Sequence, residues 1–227
     1  MDKSRTEILI GKENTEKIAK KHITIVGTGG VGGYAAILLA RAGIENFTLI
    51  DFDKVASSNV NRQIVAFEST IGKYKVDVLQ EMILDINKNA KIEVKKEKIC
   101  EENVKNLIKN TNLVVDCIDS IKDKAALIVF CKQNDYNIIS AMGAGNRFDV
   151  PKFEVTDIYK THDDGLAKAL RKILRQNEIR SLKVVACSSI PKKIEGVIGS
   201  ISYYPAMCGT VLASYVVNSI IKGEVWK

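Results

Sequence analysis

No apolar run in the 227 residues is long enough to cross a bilayer. The opening MDKSRTEILIGKENTEKIAKKH has no apolar core of the kind a secretory leader needs. These absences predict a cytoplasmic protein with no membrane partner. Cysteine is sparse and unpaired: Cys100, Cys117, Cys131, Cys187 and Cys208 include no C-x-x-C, which argues against a zinc site and a disulfide framework and predicts buried thiols. Aromatic residues make up only 6% of the chain, so any RNA would be held through phosphates rather than on stacked rings. Internal repeats and low-complexity segments are also missing.

What is present is a basic balance, a net charge of +7, which favours anionic partners such as nucleotides or nucleic acid. A chain of this length buries roughly 70–75% of its unfolded surface, so a single domain spanning 1–227 is expected, with a nucleotide half at 1–142 and a substrate-facing half at 143–227. Apolar, β-branched runs alternate with segments of helical period: strands at 22–26, 47–51, 91–95, 113–116 and 138–141, helices at 31–43, 75–87, 102–109 and 122–134. That rhythm predicts an α/β fold, a Rossmann-like doubly wound, mainly parallel sheet. Beyond GAGNRFDVP the pattern changes to a strand at 153–159, a basic helix at 166–176, a strand at 184–187, a loop around 189–199 and a closing helix at 206–222. This half is expected to continue the sheet in antiparallel fashion.

The stretch VGTGGVG places Gly27, Gly29 and Gly32 in G-x-G-x-x-G register, with Gly30 between them, directly after a strand and before a helix. Exposed amides and the helix dipole favour a phosphate there. Asp51 ends the next strand, 19 residues beyond Gly32, where a carboxylate can accept from ribose hydroxyls. These features fit NAD, FAD or ATP alike. The following loop, DFDKVASSNVNRQ, adds Asp53, Asn59, Arg62 and Gln63, and IGKYK brings Lys73 and Lys75 to a helix start. Fixed cations such as Arg62 and Lys75 suit a triphosphate whose pyrophosphate must leave. Asp119, in DCIDS past the fourth strand, suits magnesium, which takes one or two carboxylates plus phosphate oxygens. In the helix at 166–180, Leu166, Leu170, Ile173 and Leu174 share one face, and Lys168, Arg171, Lys172 and Arg175 lie largely on the other, a pattern suited to an RNA backbone.

Taken together, GTGGVG, LIDFDKVASSNVNRQ, GKYK and DCIDS resemble the ubiquitin-activating-enzyme-like adenylyltransferases, the superfamily that includes the enzymes activating thiamine and molybdopterin sulfur-carrier proteins. The resemblance implies ATP with Asp51 on the ribose, Asn59, Arg62 and Lys75 around the phosphates, and Asp119 on Mg2+. It also implies a homodimer in which an arginine near the N-terminus, here Arg5, reaches the neighbour's site. DSIKDKAALIVFC, MGAGNRFDVPKFEVTDIYKTHDDGLAKALRKILR and CSS look like the tRNA threonylcarbamoyladenosine dehydratase branch, which activates a carboxylate on a modified adenosine so that it cyclises. Gly165 departs from that branch's usual proline, and the C-terminus is short for it. The expected function is therefore ATP-dependent cyclisation of threonylcarbamoyladenosine in tRNA through an acyl-adenylate, with sulfur-relay proteins (a cysteine desulfurase or sulfur acceptor) as further partners. The alternative is activation of the C-terminal glycine of a ubiquitin-like sulfur carrier. A dinucleotide oxidoreductase would leave Arg62, Lys75 and Asp119 without a role, and a non-catalytic nucleotide or RNA module would bind ATP without releasing pyrophosphate. Cys187 or Cys208 could form a thioester, and His162 could carry a proton, bind metal with Asp163 or Asp164, or cap a loop.

Overall fold

Runs rich in β-branched residues set the sheet, buried at its centre and open at its two edges. In the computed structural model, which describes residues 1–224, the strands are β1 (His22–Val26), β2 (Asn46–Ile50), β3 (Lys91–Lys95), β4 (Leu113–Asp116), β5 (Ile138–Ala141), β6 (Phe153–Asp157) and β7 (Lys183–Cys187). They form one seven-stranded sheet in the order β3-β2-β1-β4-β5-β7-β6. All neighbours pair in parallel except β6 with β7, which is antiparallel. The antiparallel continuation expected for the C-terminal half is thus confined to the edge strand β6; β7 runs parallel to β5.

Side chains alternate between two apolar layers. Ile23 and Ile25 of β1 and Val115 of β4 face one core with α3 (Gly32–Ala42), α4 (Lys75–Ile86) and α8 (Tyr203–Lys222). Val26 and Val114 face the other with α5 (Val104–Leu107), α6 (Ile121–Gln133) and α7 (Gly165–Gln176). Truncating Ile23 or Ile25 to Ala would cost about 2–5 kcal/mol. α8 is long and apolar enough to cross a membrane by length and composition, unlike the reading of the sequence. Half of its most apolar stretch is buried within the fold, and Leu212 and Val216 are fully enclosed.

Three segments differ from the expected elements. The helix at 102–109 shrinks to the single turn of α5, and the strand at 153–159 stops at Asp157, where its carboxylate accepts from the Tyr159 N–H and starts a 3-10 turn. Residues 4–19 form two short helices, α1 (Ser4–Ile10) and α2 (Lys12–Ala19), with no buried residue in α1. α1 begins at the amino edge of the sheet: Lys3 pairs with Glu45 at 2.6 Å, just ahead of β2.

β1 has β2 on one side and β4 on the other, so the chain reverses its direction of winding between β1 and β4. A crevice opens at the carboxyl ends of those two strands, where ligands bind in open α/β sheets.

Candidate active site

The glycine turn fills the floor of this crevice. Gly27 has φ +85°, a conformation that side chains disfavour. A Cβ on Gly32 would lie 1.9 Å from the Gly27 carbonyl oxygen, so only glycine lets α3 start this close to β1. No side chain caps α3 among the described residues; the Gly33 N–H donates to the Gly29 carbonyl at 3.0 Å, and the Gly32 amide and the positive end of the dipole are left for an anion.

Asp51 is built into the turn. Its Oδ2 accepts from the Thr28 N–H at 2.7 Å and the Thr28 hydroxyl at 3.0 Å, and its Oδ1 accepts from the Asp53 N–H at 2.9 Å. A carboxylate offers about four acceptor positions; with three filled, one is left for a ribose hydroxyl.

Lys75 opens α4 and is 6% exposed. Its Nζ meets Asp53 Oδ2 at 2.6 Å, and its backbone N–H donates to the Asp53 carbonyl at 3.0 Å. The segment 53–55 is further laced to 72–75 by the Val55 N–H on the Lys73 carbonyl and the Gly72 N–H on the Val55 carbonyl. Asp53 thus neutralises Lys75, while Lys73 is exposed.

Asn59 and Gln63 are buried, and Arg62 is half-buried. The Asn59 Oδ1 accepts from the Ala56 N–H at 3.1 Å. Gln63 lies over the turn, its Nε2 3.6 Å from where a Gly29 Cβ would stand, and its buried Oε1 has no hydrogen-bond partner among the described residues. Arg62 folds back, donating from Nη1 to the Ser58 carbonyl at 2.7 Å and to Asn61 Oδ1 at 3.0 Å. Asp119 is exposed, one residue past the Cys117–Ile118 peptide that touches Gly27. No group of three or more His, Cys, Asp or Glu side chains among the described residues could hold a resident metal. A single carboxylate fits a magnesium ion that arrives on phosphates.

The basic helix is only partly open. Arg171 Nη1 is drawn into the 158–161 turn by the Ile158 and Thr161 carbonyls and the Thr161 hydroxyl. Arg175 lies 5.3 Å from the centre of the Tyr159 ring. Lys168, Lys172 and Arg175 are exposed. Arg5 is exposed on α1.

Two arrangements escaped the sequence reading. Arg147, 5% exposed, donates to three carbonyls: Ser189 at 2.8 Å, Gly143 at 2.8 Å and Asp163 at 3.0 Å. Asp116 and Lys124 form a fully buried ion pair at 2.9 Å. Asp164 is the cap that the KTHDDG loop supplies, accepting from the Ala167 N–H at 2.9 Å and from the Gly143 N–H at 2.8 Å; His162 is exposed. Burial pushes the Cys117 thiol well up and the Cys208 thiol to about 12, and Cys187 is buried.

A model of the ThiF family matches residues 3–225. The chain belongs to the ThiF family. A tRNA threonylcarbamoyladenosine dehydratase of Bacillus subtilis (strain 168) is 33% identical over 239 residues, spanning 96% of this chain and 94% of the relative. Crystal structures of the E. coli tRNA N6-threonylcarbamoyladenosine dehydratase in complex with AMP and with ATP superpose with TM-scores of 0.92 and 0.91 at 32% identity. Each covers 97% of this chain, and 94% and 93% of those chains respectively. ThiF-family membership agrees with the resemblance carried by GTGGVG, LIDFDKVASSNVNRQ, GKYK and DCIDS.

Proposed function

We propose that the chain is an ATP-dependent tRNA threonylcarbamoyladenosine dehydratase, a cyclising enzyme that activates its substrate's carboxylate as an acyl-adenylate. The observation that carries this reading is the convergence, on one crevice, of an uncapped helix start, the Asp51 carboxylate, a buried lysine and the exposed Asp119. The near full-length similarity to dehydratases supports the choice of substrate.

In this reading Gly27, whose N–H donates to the Ile50 carbonyl at 2.9 Å, shapes the turn, the amides of Gly29, Gly30 and Gly32 cradle the phosphates, Asp51 orients the ribose, and Asn59 and Gln63 line the loop above. The substrate's carboxylate oxygen attacks the α-phosphorus, and pyrophosphate leaves. Lys75 passes from Asp53 to the departing phosphates, and Arg62 swings off its Ser58 carbonyl to join it. Asp119 would hold Mg2+, which neutralises phosphate charge when bound. A nitrogen of the same threonylcarbamoyl group then attacks the activated carbonyl and AMP departs, a ring closure favoured by its intramolecularity. The net change in the nucleoside is the loss of one water. No enzyme thiol is needed, in keeping with the buried Cys187 and Cys208.

The whole chain is read as one unit, residues 1–142 serving the nucleotide and 143–227 the substrate, the last three residues lying outside those described. Lys168, Lys172 and Arg175 would meet the tRNA backbone, with Arg171 shaping the helix's seat. A cytoplasmic homodimer completes the reading. Lys3 lies against Gly43 at the far end of α3, and an 11-residue helix is about 16 Å long. Arg5 is therefore beyond reach of its own turn, and exposed Ile8 and Leu9 beside it suit a covered face. Sulfur-relay partners rest on the family resemblance alone.

The test is to incubate the protein with ATP, magnesium and tRNA carrying threonylcarbamoyladenosine, then digest the tRNA and weigh the nucleoside. Loss of one water with AMP formed, both absent in Asp119→Ala, is expected. An unchanged nucleoside overturns the reading and favours a ubiquitin-like C-terminal glycine as the activated carboxylate.

A further inference from the structure

We infer that the buried Asp116–Lys124 pair is a positioning device for Asp119, an inference that rests on the magnesium role proposed above. Both side chains are 0% exposed and their charged atoms stand 2.9 Å apart. A buried pair of this kind adds little net stability, because desolvation offsets most of the attraction. Its effect lies in what it holds. Asp116 Oδ1 accepts the Ile118 N–H at 3.1 Å, and Lys124 Nζ donates to the Ile118 carbonyl at 2.9 Å. The two ends of one residue are gripped by the two halves of one ion pair, and the next residue in the chain is Asp119.

A third contact fixes the same corner. A Cβ on Gly27 would lie 2.8 Å from the Cys117 carbonyl oxygen and 3.2 Å from the Ile118 nitrogen, so the phosphate turn rests on the peptide that the pair clamps. β4 ends at Asp116 and α6 begins at Ile121, and the Lys124 N–H donates to the Ser120 carbonyl at 2.9 Å. The exposed Asp119 carboxylate is thereby carried on a short loop pinned on both sides, at a fixed offset from the turn. Asp116 and Lys124 act through the backbone and touch no reacting atom. They set where Asp119 presents its oxygens to a metal ion on the phosphates.

The test measures ATP affinity calorimetrically with excess chelator and again with excess magnesium. The ratio of the two affinities reads the metal's contribution whether or not the tRNA reaction occurs, so failure of the dehydratase reading leaves it interpretable. Asp116→Asn/Lys124→Met removes both charges together and avoids an unpaired buried ion. Once its thermal unfolding is shown to match wild type, it is expected to bind metal-free ATP within about twofold of wild type and to lose about tenfold of the magnesium-dependent increment, the usual scale for groups that orient a ligand. Lys124→Arg, which keeps a cation opposite Asp116, is expected to keep most of it. Asp116→Asn/Lys124→Gln, neutral as a pair and with an amide donor in place of the ammonium, is expected to give a smaller loss, about threefold, and carries the test should the first double variant fail to fold. A folded variant with the full wild-type increment overturns the inference, and so does a wild-type protein that binds ATP no better with magnesium.

Discussion

Lys75 and Asp53 are joined twice, by a 2.6 Å ion pair between side chains and a 3.0 Å hydrogen bond between backbones. The lysine is held at the crevice before any phosphate arrives, and its partner is the more exposed of the two, at 47% against 7%. Lys75→Ala should lower the rate of pyrophosphate release by about 100-fold or more, the scale of losing one fixed charge on a developing anion. Stability should fall by about 1–3 kcal/mol from the packing lost with the enclosed lysine stem, the orphaned Asp53 itself being solvated. A quenched-flow assay alongside urea unfolding separates the two effects.

Arg5 tests the assembly. Its place at the far end of α3 means that any use of it at the glycine turn is intermolecular. Equal mixing of Arg5→Ala with Lys75→Ala protomers should restore about a quarter of wild-type turnover, the share of intact sites in randomly reassorted two-fold dimers. No recovery would remove Arg5 from the site.

The cysteines should be silent. Cys187→Ala and Cys208→Ala are expected to keep turnover within about twofold of wild type, since burial raises the Cys208 thiol to about 12, too high for a nucleophile at neutral pH, and Cys187 is enclosed in the fold. Native-state alkylation mapped by mass spectrometry should leave both unmodified. A folded Cys187→Ala protein without turnover would reinstate a thioester.

His22 gives a pH signature in stability. Partial burial lowers its pKa below the ordinary 6.5, and Nε2 sits 2.9 Å from the Thr48 hydroxyl. The folded state therefore binds this proton less readily than the unfolded chain. The contribution is complete above pH 6.5 and is lost as pH falls through that value towards the folded pKa. Subtracting the urea midpoints of His22→Gln from wild type between pH 5 and 7.5 should leave a residue that falls on acidification.

Much of this architecture is written in local pattern. The strands at 22–26, 91–95, 113–116 and 138–141 have the bounds that the sequence predicts, because β-branched residues between turn residues read as strands both in a buried apolar run, as at 113–116, and in the alternation of an exposed edge, as at 91–95. The glycine turn and Asp51 were legible for the same reason, each being fixed by a spacing along the chain. α1 and α2 were not, because seven and eight largely polar residues carry too short a period to stand out. Lys124 reads as one more solvated lysine in KDK, and only the fold shows it enclosed with Asp116. The fourfold charge of the basic helix was legible, whereas the capture of Arg171 by residues 10 and 13 positions away was not.

Arg147 has a mechanical consequence. One guanidinium binds the loop after β5, the loop after β7 and the residue before the α7 cap. None of the three can lift away without breaking a charged hydrogen bond in a buried setting, so their motions are coupled. This edge of the molecule should open to solvent as one cooperative unit. In hydrogen exchange, the amides of Gly143 and Ala167, both bonded to Asp164, and of Ser188, next to Ser189 and bonded to the Lys152 carbonyl, would lose protection together, and the crevice would have a single hinged wall rather than three independent lids.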